Sequence, residues 1–141
     1  MAESFSSPVP GDIDLITLQL SNFDGSETQD LRALVREFNI YESIFSDHIR
    51  ADFVISDALA LTTRMPIVGE ETMTVKFRTP SVAPNSFEYE YYEYSFNITK
   101  LQNFETTNIR SGYYKLEGVS KYQIANITQR INWAYGPSKI S

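Results

Sequence analysis

The sequence predicts a mainly β protein: a small antiparallel β-barrel of about six strands, with a short inserted helix and a C-terminal helix. Three features carry this reading. Nine Phe and nine Tyr help bring the aromatic content to 13%, and such side chains favour pleated, half-buried surfaces. Apolar and polar residues alternate with a period of two. Ile49, Ala51, Phe53 and Ile55 share one parity, with His48, Arg50, Asp52 and Ser56 on the other; Met73, Val75 and Phe77 alternate with Thr72, Thr74, Lys76 and Arg78. Successive strand side chains point to opposite faces, so this describes strands with one buried and one wet face. Turn-forming clusters punctuate these runs.

Taken in order, residues 1–11 read as a flexible arm (Ser6-Ser7-Pro8, Pro10-Gly11), 12–119 as the barrel, and 120–141 as a helix and the start of a linker. The first strand is expected over roughly Ile13 to Leu20, with a parity change between Leu15 and Ile16 that signals a bulge or burial on both faces. Asn22-Phe23-Asp24-Gly25-Ser26 is a turn by composition. A second strand covers about Leu34 to Phe45, where Leu34, Phe38, Ile40 and Ile44 share a parity. Ser46-Asp47 makes a short connection into the third strand, giving a hairpin. Ser56-Asp57 is expected to cap a short helix through Leu61, which stops before Met65 because Pro66 disfavours helical geometry there.

The next strand spans about Thr72 to Thr79, and Pro80 to Asn85 is a loop. A long aromatic strand follows from Phe87 to Lys100. Phe87, Tyr89 and Tyr91 occupy one parity, Tyr92, Tyr94, Phe96 and Ile98 the other, which predicts a bulge at Tyr91-Tyr92. Gly112 to Val119 is the last strand. Ser120 and Gln123 match a capping box for a helix bearing Ile124, Ile127 and Ile131 and ending near Ala134. The helix-start character of Ser138 to Ser141 predicts that more protein follows.

Twelve basic and eighteen acidic residues give a net charge of −6 without a basic cluster, which speaks against nucleic acid and anionic membrane surfaces as partners. No 18-residue apolar stretch is present, and the first residues lack the pattern of a signal peptide. With no cysteine, disulfide scaffolds and thiolate metal sites are excluded.

Catalytic chemistry finds little support. His48 is the lone histidine and has no local nucleophile and acid arrangement beside it, so it reads as a surface or interface residue. One His and no Cys leave zinc without its usual ligands. Asp12, Asp14, Glu70, Glu71, Glu88, Glu90 and Glu93 read as solvated charge more readily than as a glycosidase pair. Asp24 to Glu27 lacks calcium-loop spacing and reads as a turn. Two sequons, at Asn97 and Asn126, fall inside expected regular elements. No cofactor is expected. The tyrosine strand could stack sugars, bases or a methylated side chain, but core and subunit interface are the better reading for its rings.

FNIYESIF (Phe38 to Phe45), the strand ending in ISDA (Ile55 to Ala58), the MPIVGEE turn (Met65 to Glu71), VKFRTP (Val75 to Pro80) and the closing run from Ser120 to Ser141 resemble the baseplate central hub protein of contractile-tailed bacteriophages. The resemblance covers roughly Asp12 to Ser141 and is most specific at Pro66 to Glu71. It implies Tudor-like barrels in a homotrimer. The tail tube protein would lie on one face and the central spike protein on the other, with further baseplate proteins around it. The place implied is the virion tail, assembled from protein made in the host cytoplasm. The family carries two such barrels per subunit, whereas this sequence contains one. Interface candidates are Tyr89, Tyr91 and Tyr92, the Glu70-Glu71 turn, and the helix face of Gln129 and Arg130. The alternative is a carbohydrate- or peptide-binding β module with the tyrosine strand as its platform.

Overall fold

The computed structural model describes residues 13–57, 61–79, 91–108 and 111–128. The N-terminal arm, the start of the aromatic strand with Tyr89, and the segment from Gln129 and Arg130 onward lie outside the described residues.

The elements are β1 (Asp14–Ser21), β2 (Thr28–Asp30), β3 (Val35–Tyr41), β4 (Arg50–Asp57), α1 (Leu61–Arg64), β5 (Thr72–Arg78), β6 (Tyr91–Asn108), β7 (Ser111–Ser120) and α2 (Lys121–Thr128). The strands form one sheet in the order β2-β1-β5-β6-β7-β4-β3, with all neighbours antiparallel.

The two edge strands of this sheet are consecutive in sequence, and only residues 31–34 join them. Six inter-strand spacings in a flat sheet would hold the edges about 29 Å apart. Five steps of extended chain reach at most about 18 Å. The sheet must therefore curl, and it forms a half-barrel. The joint is hydrogen-bonded into both sides: Leu31 N donates to Leu18 O (2.8 Å), and Ser56 N donates to Leu34 O (2.8 Å). The Leu31 side chain is completely buried.

Bulges help the sheet bend. β6 shifts register against β7 twice toward its end, between Asn103 and Thr106 and between Thr106 and Asn108. Three further shifts fall between Leu15 and Thr17, Val35 and Glu37, and Ile98 and Lys100. Each inserts one residue (Ile16, Arg36, Thr99), so two residues three apart both face inward: Leu15 with Leu18, Val35 with Phe38, Ile98 with Leu101. The β1 bulge lies where the sequence parity changes. The bulge expected at Tyr91-Tyr92 is absent, because Arg78 pairs with Tyr91 and Phe77 with Tyr92 in step. The parity of β6 changes at Thr99 instead.

Other differences have local causes. The described residues form seven strands, because β2 (Thr-Gln-Asp) has no apolar pattern and is a strand only through pairing with β1 across the Asn22–Ser26 turn. Gly25 in that turn has φ 72°, a conformation glycine adopts without penalty. The β3–β4 hairpin forms, but β3 ends at Tyr41 and its connection runs over 42–49. Ser46 N donates to Ser43 O (3.1 Å) and Phe45 N to Ser43 Oγ (3.2 Å), which turns the chain where the alternation predicted strand.

Ser56 and Asp57 remain in β4. Asp57, buried, still caps α1 by accepting Leu61 N at Oδ2 (2.8 Å), and α1 stops before Met65 as expected. β6 runs beyond Lys100 to Asn108, because it continues to pair with β7. The Ser120–Gln123 capping box does not form. Ser120 N–H is taken by Ile49 O (2.9 Å), and Gln123 Oε1 is buried without a hydrogen-bond partner.

The inward faces deliver a core of Leu18, Leu20, Phe53, Ile55, Met73, Val75, Phe96, Ile98 and Leu116, all fully buried. At its centre five rings close a circuit. Phe38–Phe53 centroids are 6.5 Å apart, Phe53–Phe96 6.0 Å, Phe96–Tyr94 5.9 Å, Tyr94–Phe77 6.3 Å and Phe77–Phe38 5.8 Å. The last contact joins β3 to β5, which are not sheet neighbours, so it spans the interior.

Gly118 provides the room for this packing: a Cβ there would sit 2.9 Å from Phe96 Cβ and 3.3 Å from Asn97 O. Gly118→Ala is expected to lower stability by roughly 1–3 kcal/mol in urea unfolding, because two adjoining strands must shift. Tyr114 is buried with no partner for its hydroxyl, and burial, then the nearby Asp57 charge, raise its pKa. The native state holds that proton after the unfolded chain has released it. This contribution is therefore full below about pH 10 and is lost as pH rises above it. Tyr114→Phe is expected to leave the melting temperature at pH 7 unchanged or higher and to reduce its fall between pH 9 and pH 11, both read by thermal melts.

Candidate functional site

Alternation along β6 puts Tyr92, Tyr94, Phe96 and Ile98 on the inward face, and their burial is graded. Phe96 and Ile98 are fully buried, Tyr94 is half-buried, and Tyr92 is 38% exposed. The row thus runs from the core to an open mouth. Phe77 of β5 sits opposite Tyr92 in the register and stacks on it (5.4 Å, planes 25° apart) and on Tyr94 (planes 16° apart). Ile40, Glu42, Phe77, Thr79, Tyr92 and Tyr94 line a groove of about 450 Å³ at this mouth.

Glu42, just past the end of β3, reaches over the groove, and Tyr94 OH donates to its Oε1 at 2.9 Å. Burial, followed by this hydrogen bond and the Glu42 charge, raises the Tyr94 pKa and keeps the phenol a donor. Glu42 has no ion-pair partner among the described residues. Its setting differs from that of the outward strand faces. There Lys76 meets Glu93 (3.6 Å), Arg78 meets Asp14 (2.7 Å) and Lys115 meets Asp52 (2.7 Å), in the manner of solvated cross-strand pairs.

The 42–49 connection adds a second feature. Its Ser43–Ser46 turn holds Ile44 and Phe45 at the central positions, 94% and 95% exposed. Turn centres ordinarily favour Pro, Gly, Asn or Asp, so a bare Ile-Phe pair there is a display of apolar surface. His48 braces the turn. Its Nδ1 lies 3.1 Å from Ser46 Oγ and 2.8 Å from Asp47 Oδ1, and Ser46 Oγ donates to His48 O (3.2 Å). Ile44 also lines a shallow groove with Tyr122 of α2, itself 82% exposed.

The residues named from sequence divide. Tyr92 joins the groove. Tyr91 lies on the opposite face, 52% exposed, with Lys76 Nζ 5.3 Å from its ring centre, so the two tyrosines do not form one platform. Glu70 is exposed. Glu71 is 2% exposed and turned inward: Oε1 accepts Val68 N (2.8 Å) and Oε2 accepts Gly69 N (3.0 Å). It fastens the turn, in which Gly69 has φ 97°. The Ser26 side chain and then Ser26 N, which Asp24 Oδ1 accepts at 2.9 Å, lower the Asp24 pKa by hydrogen bonding, an arrangement that belongs to a turn. Tyr89, Gln129 and Arg130 lie outside the described residues. Sequence reasoning missed Glu42 and Phe45 and assigned Ile44 to a strand; the available signal was the pair of serines bracketing Ile44-Phe45.

No protein-family model matches the chain, and no curated protein matches it either.

Glu71→Ala is expected to lower stability by about 2–3 kcal/mol, since it strands two buried or half-buried N–H groups. Glu70→Ala should change it by less than about 0.5 kcal/mol. Urea denaturation of both variants distinguishes a structural carboxylate from a surface one.

Proposed function

We propose that this chain is a structural subunit of a contractile-tail baseplate hub. In this reading a Tudor-like barrel assembles as a homotrimer between the tail tube protein and the central spike protein, and works by binding alone. The motif resemblance motivates the family, with the Pro66–Glu71 turn as its most specific part. The observation that carries an interaction role is the Ile44-Phe45 pair, exposed on a hydrogen-bonded and His48-braced turn. Large apolar side chains presented from a preorganised turn are suited to filling pockets on a partner, where a few anchors supply most of the binding energy.

A second reading draws on the Phe77–Tyr92–Tyr94 groove: a carbohydrate- or peptide-binding module whose rings form the ligand floor. The two readings use different surfaces and are separable.

The decisive measurement is the copy number of the polypeptide in its native particle. Three copies on the tail axis are expected, and a monomer found outside any particle would overturn the hub reading. A chain carrying Ile44→Ser and Phe45→Ser should keep its melting temperature within about 2 °C, since both residues are already in water. It should join the assembly at least about thirtyfold more weakly, the scale of losing one hot spot. Undiminished incorporation of that variant would remove the turn from the interface.

A further inference from the structure

We infer that the groove at the barrel mouth binds an arginine side chain presented by a partner protein, with Glu42 as counter-charge and the Phe77, Tyr92 and Tyr94 rings as floor. This rests on the reading of the chain as a subunit that works by binding and names the chemistry of one partner contact. Its test involves neither the Ile44-Phe45 turn nor three-fold symmetry.

The argument starts from Glu42. Its Oε1 is held by Tyr94 OH at 2.9 Å, so the carboxylate stands at the hydroxyl end of the ring and its orientation is restricted before any ligand arrives. Asp14, Asp52, Glu93 and Glu117 on the strand faces each meet a Lys or Arg and Glu37 accepts from Asn39, whereas Glu42 forms no ion pair among the described residues. The groove residues comprise one carboxylate, one threonine, one isoleucine and three rings. A negative charge beside aromatic rings in one groove is complementary to a cation that also has flat apolar surface, and the chain as a whole is acidic at −6.

The ring geometry selects among cations. Phe77 lies within 25° of the plane of Tyr92 and within 16° of that of Tyr94. Nearly parallel stacked rings offer one outer face at the end of the row; they do not make the box of crossed faces that surrounds a spherical quaternary ammonium. A guanidinium is planar, is weakly hydrated, stacks on aromatic faces and donates in its own plane to a carboxylate. An arginine laid in the groove can therefore stack on Tyr92, the most exposed of the three rings, while donating to Glu42 Oε2. The molecule shows the same attraction on its other face, where Lys76 Nζ sits 5.3 Å from the Tyr91 ring centre.

The test uses the whole chain and a short Gly/Ser peptide with one central arginine, against identical peptides carrying citrulline or lysine. Binding is followed by NMR through the side-chain signals of Tyr92 and Tyr94. The arginine peptide should shift both signals saturably, with a dissociation constant of roughly millimolar order. Glu42→Gln should weaken this about tenfold or more, because a charge-assisted contact becomes neutral. Citrulline, equal in shape and uncharged, should bind at least about tenfold more weakly. Equal shifts with citrulline, tighter binding of lysine, or no effect of Glu42→Gln would each overturn the inference. So would saturable binding of an oligosaccharide at these tyrosines with none of arginine, which would favour the sugar-binding module. The particle copy number would stand unaffected, so failure here is distinguishable from failure of the hub reading.

Discussion

The structure depends on a length constraint. Four residues join the outermost strands of a seven-stranded sheet, and that sheet can only exist if it bends until its edges approach. Bending alone would open an apolar concavity to water. The same curl brings β3 over β5, so that Phe38 meets Phe77 at 5.8 Å and the ring circuit closes through Phe53, Phe96 and Tyr94. Topology makes the cavity and aromatic volume fills it. The three bulges permit the bend without breaking the ladders, since each adds one residue and lets the inward face continue.

A half-barrel closed in this way has a packed middle and an end that the rings do not seal. The graded burial from Phe96 through Tyr94 to Tyr92 is the direct consequence: one face of one strand supplies core, lining and surface in turn. Function is most readily sited where that gradient ends, because apolar groups there are already organised by the core beneath them. Glu42, just past the end of β3, lines that groove, and the Ile44-Phe45 turn follows it in the chain. Serine and histidine hydrogen bonds hold the turn in shape, so less conformational freedom remains to be lost on binding.

Much of this was legible in the sequence. Period-two alternation placed β4 and β5 and named their buried residues, Ala51, Phe53, Ile55, Met73 and Val75. The parity change at Leu15-Ile16 located a bulge correctly. The same i, i+3 signature at Ile98 and Leu101 was present but obscured, because the tyrosines of β6 drew the parity change to Tyr91-Tyr92. In the candidate site, Tyr92 was named from the sequence and lines the groove, but Glu71 was not legible as a turn clamp. Adjacent identical carboxylates carry no mark of which one points inward.

What the sequence determined by itself is the local alternation, the turns at Asp24-Gly25 and Gly69, and hence the β class and its inward residues. Those are one- and two-residue effects of side-chain polarity and backbone freedom. What only the tertiary structure decided is whatever needs a partner strand or a distant residue. β2 is a strand because β1 offers it hydrogen bonds. The return bond of Gln123 to Ser120 is lost because Ile49 O takes the Ser120 N–H. Glu42 faces the groove because Tyr94, 52 residues away, donates a hydrogen bond to it. Non-local hydrogen bonds and cross-barrel contacts are set by how the sheet curls, and no short window of sequence contains that information.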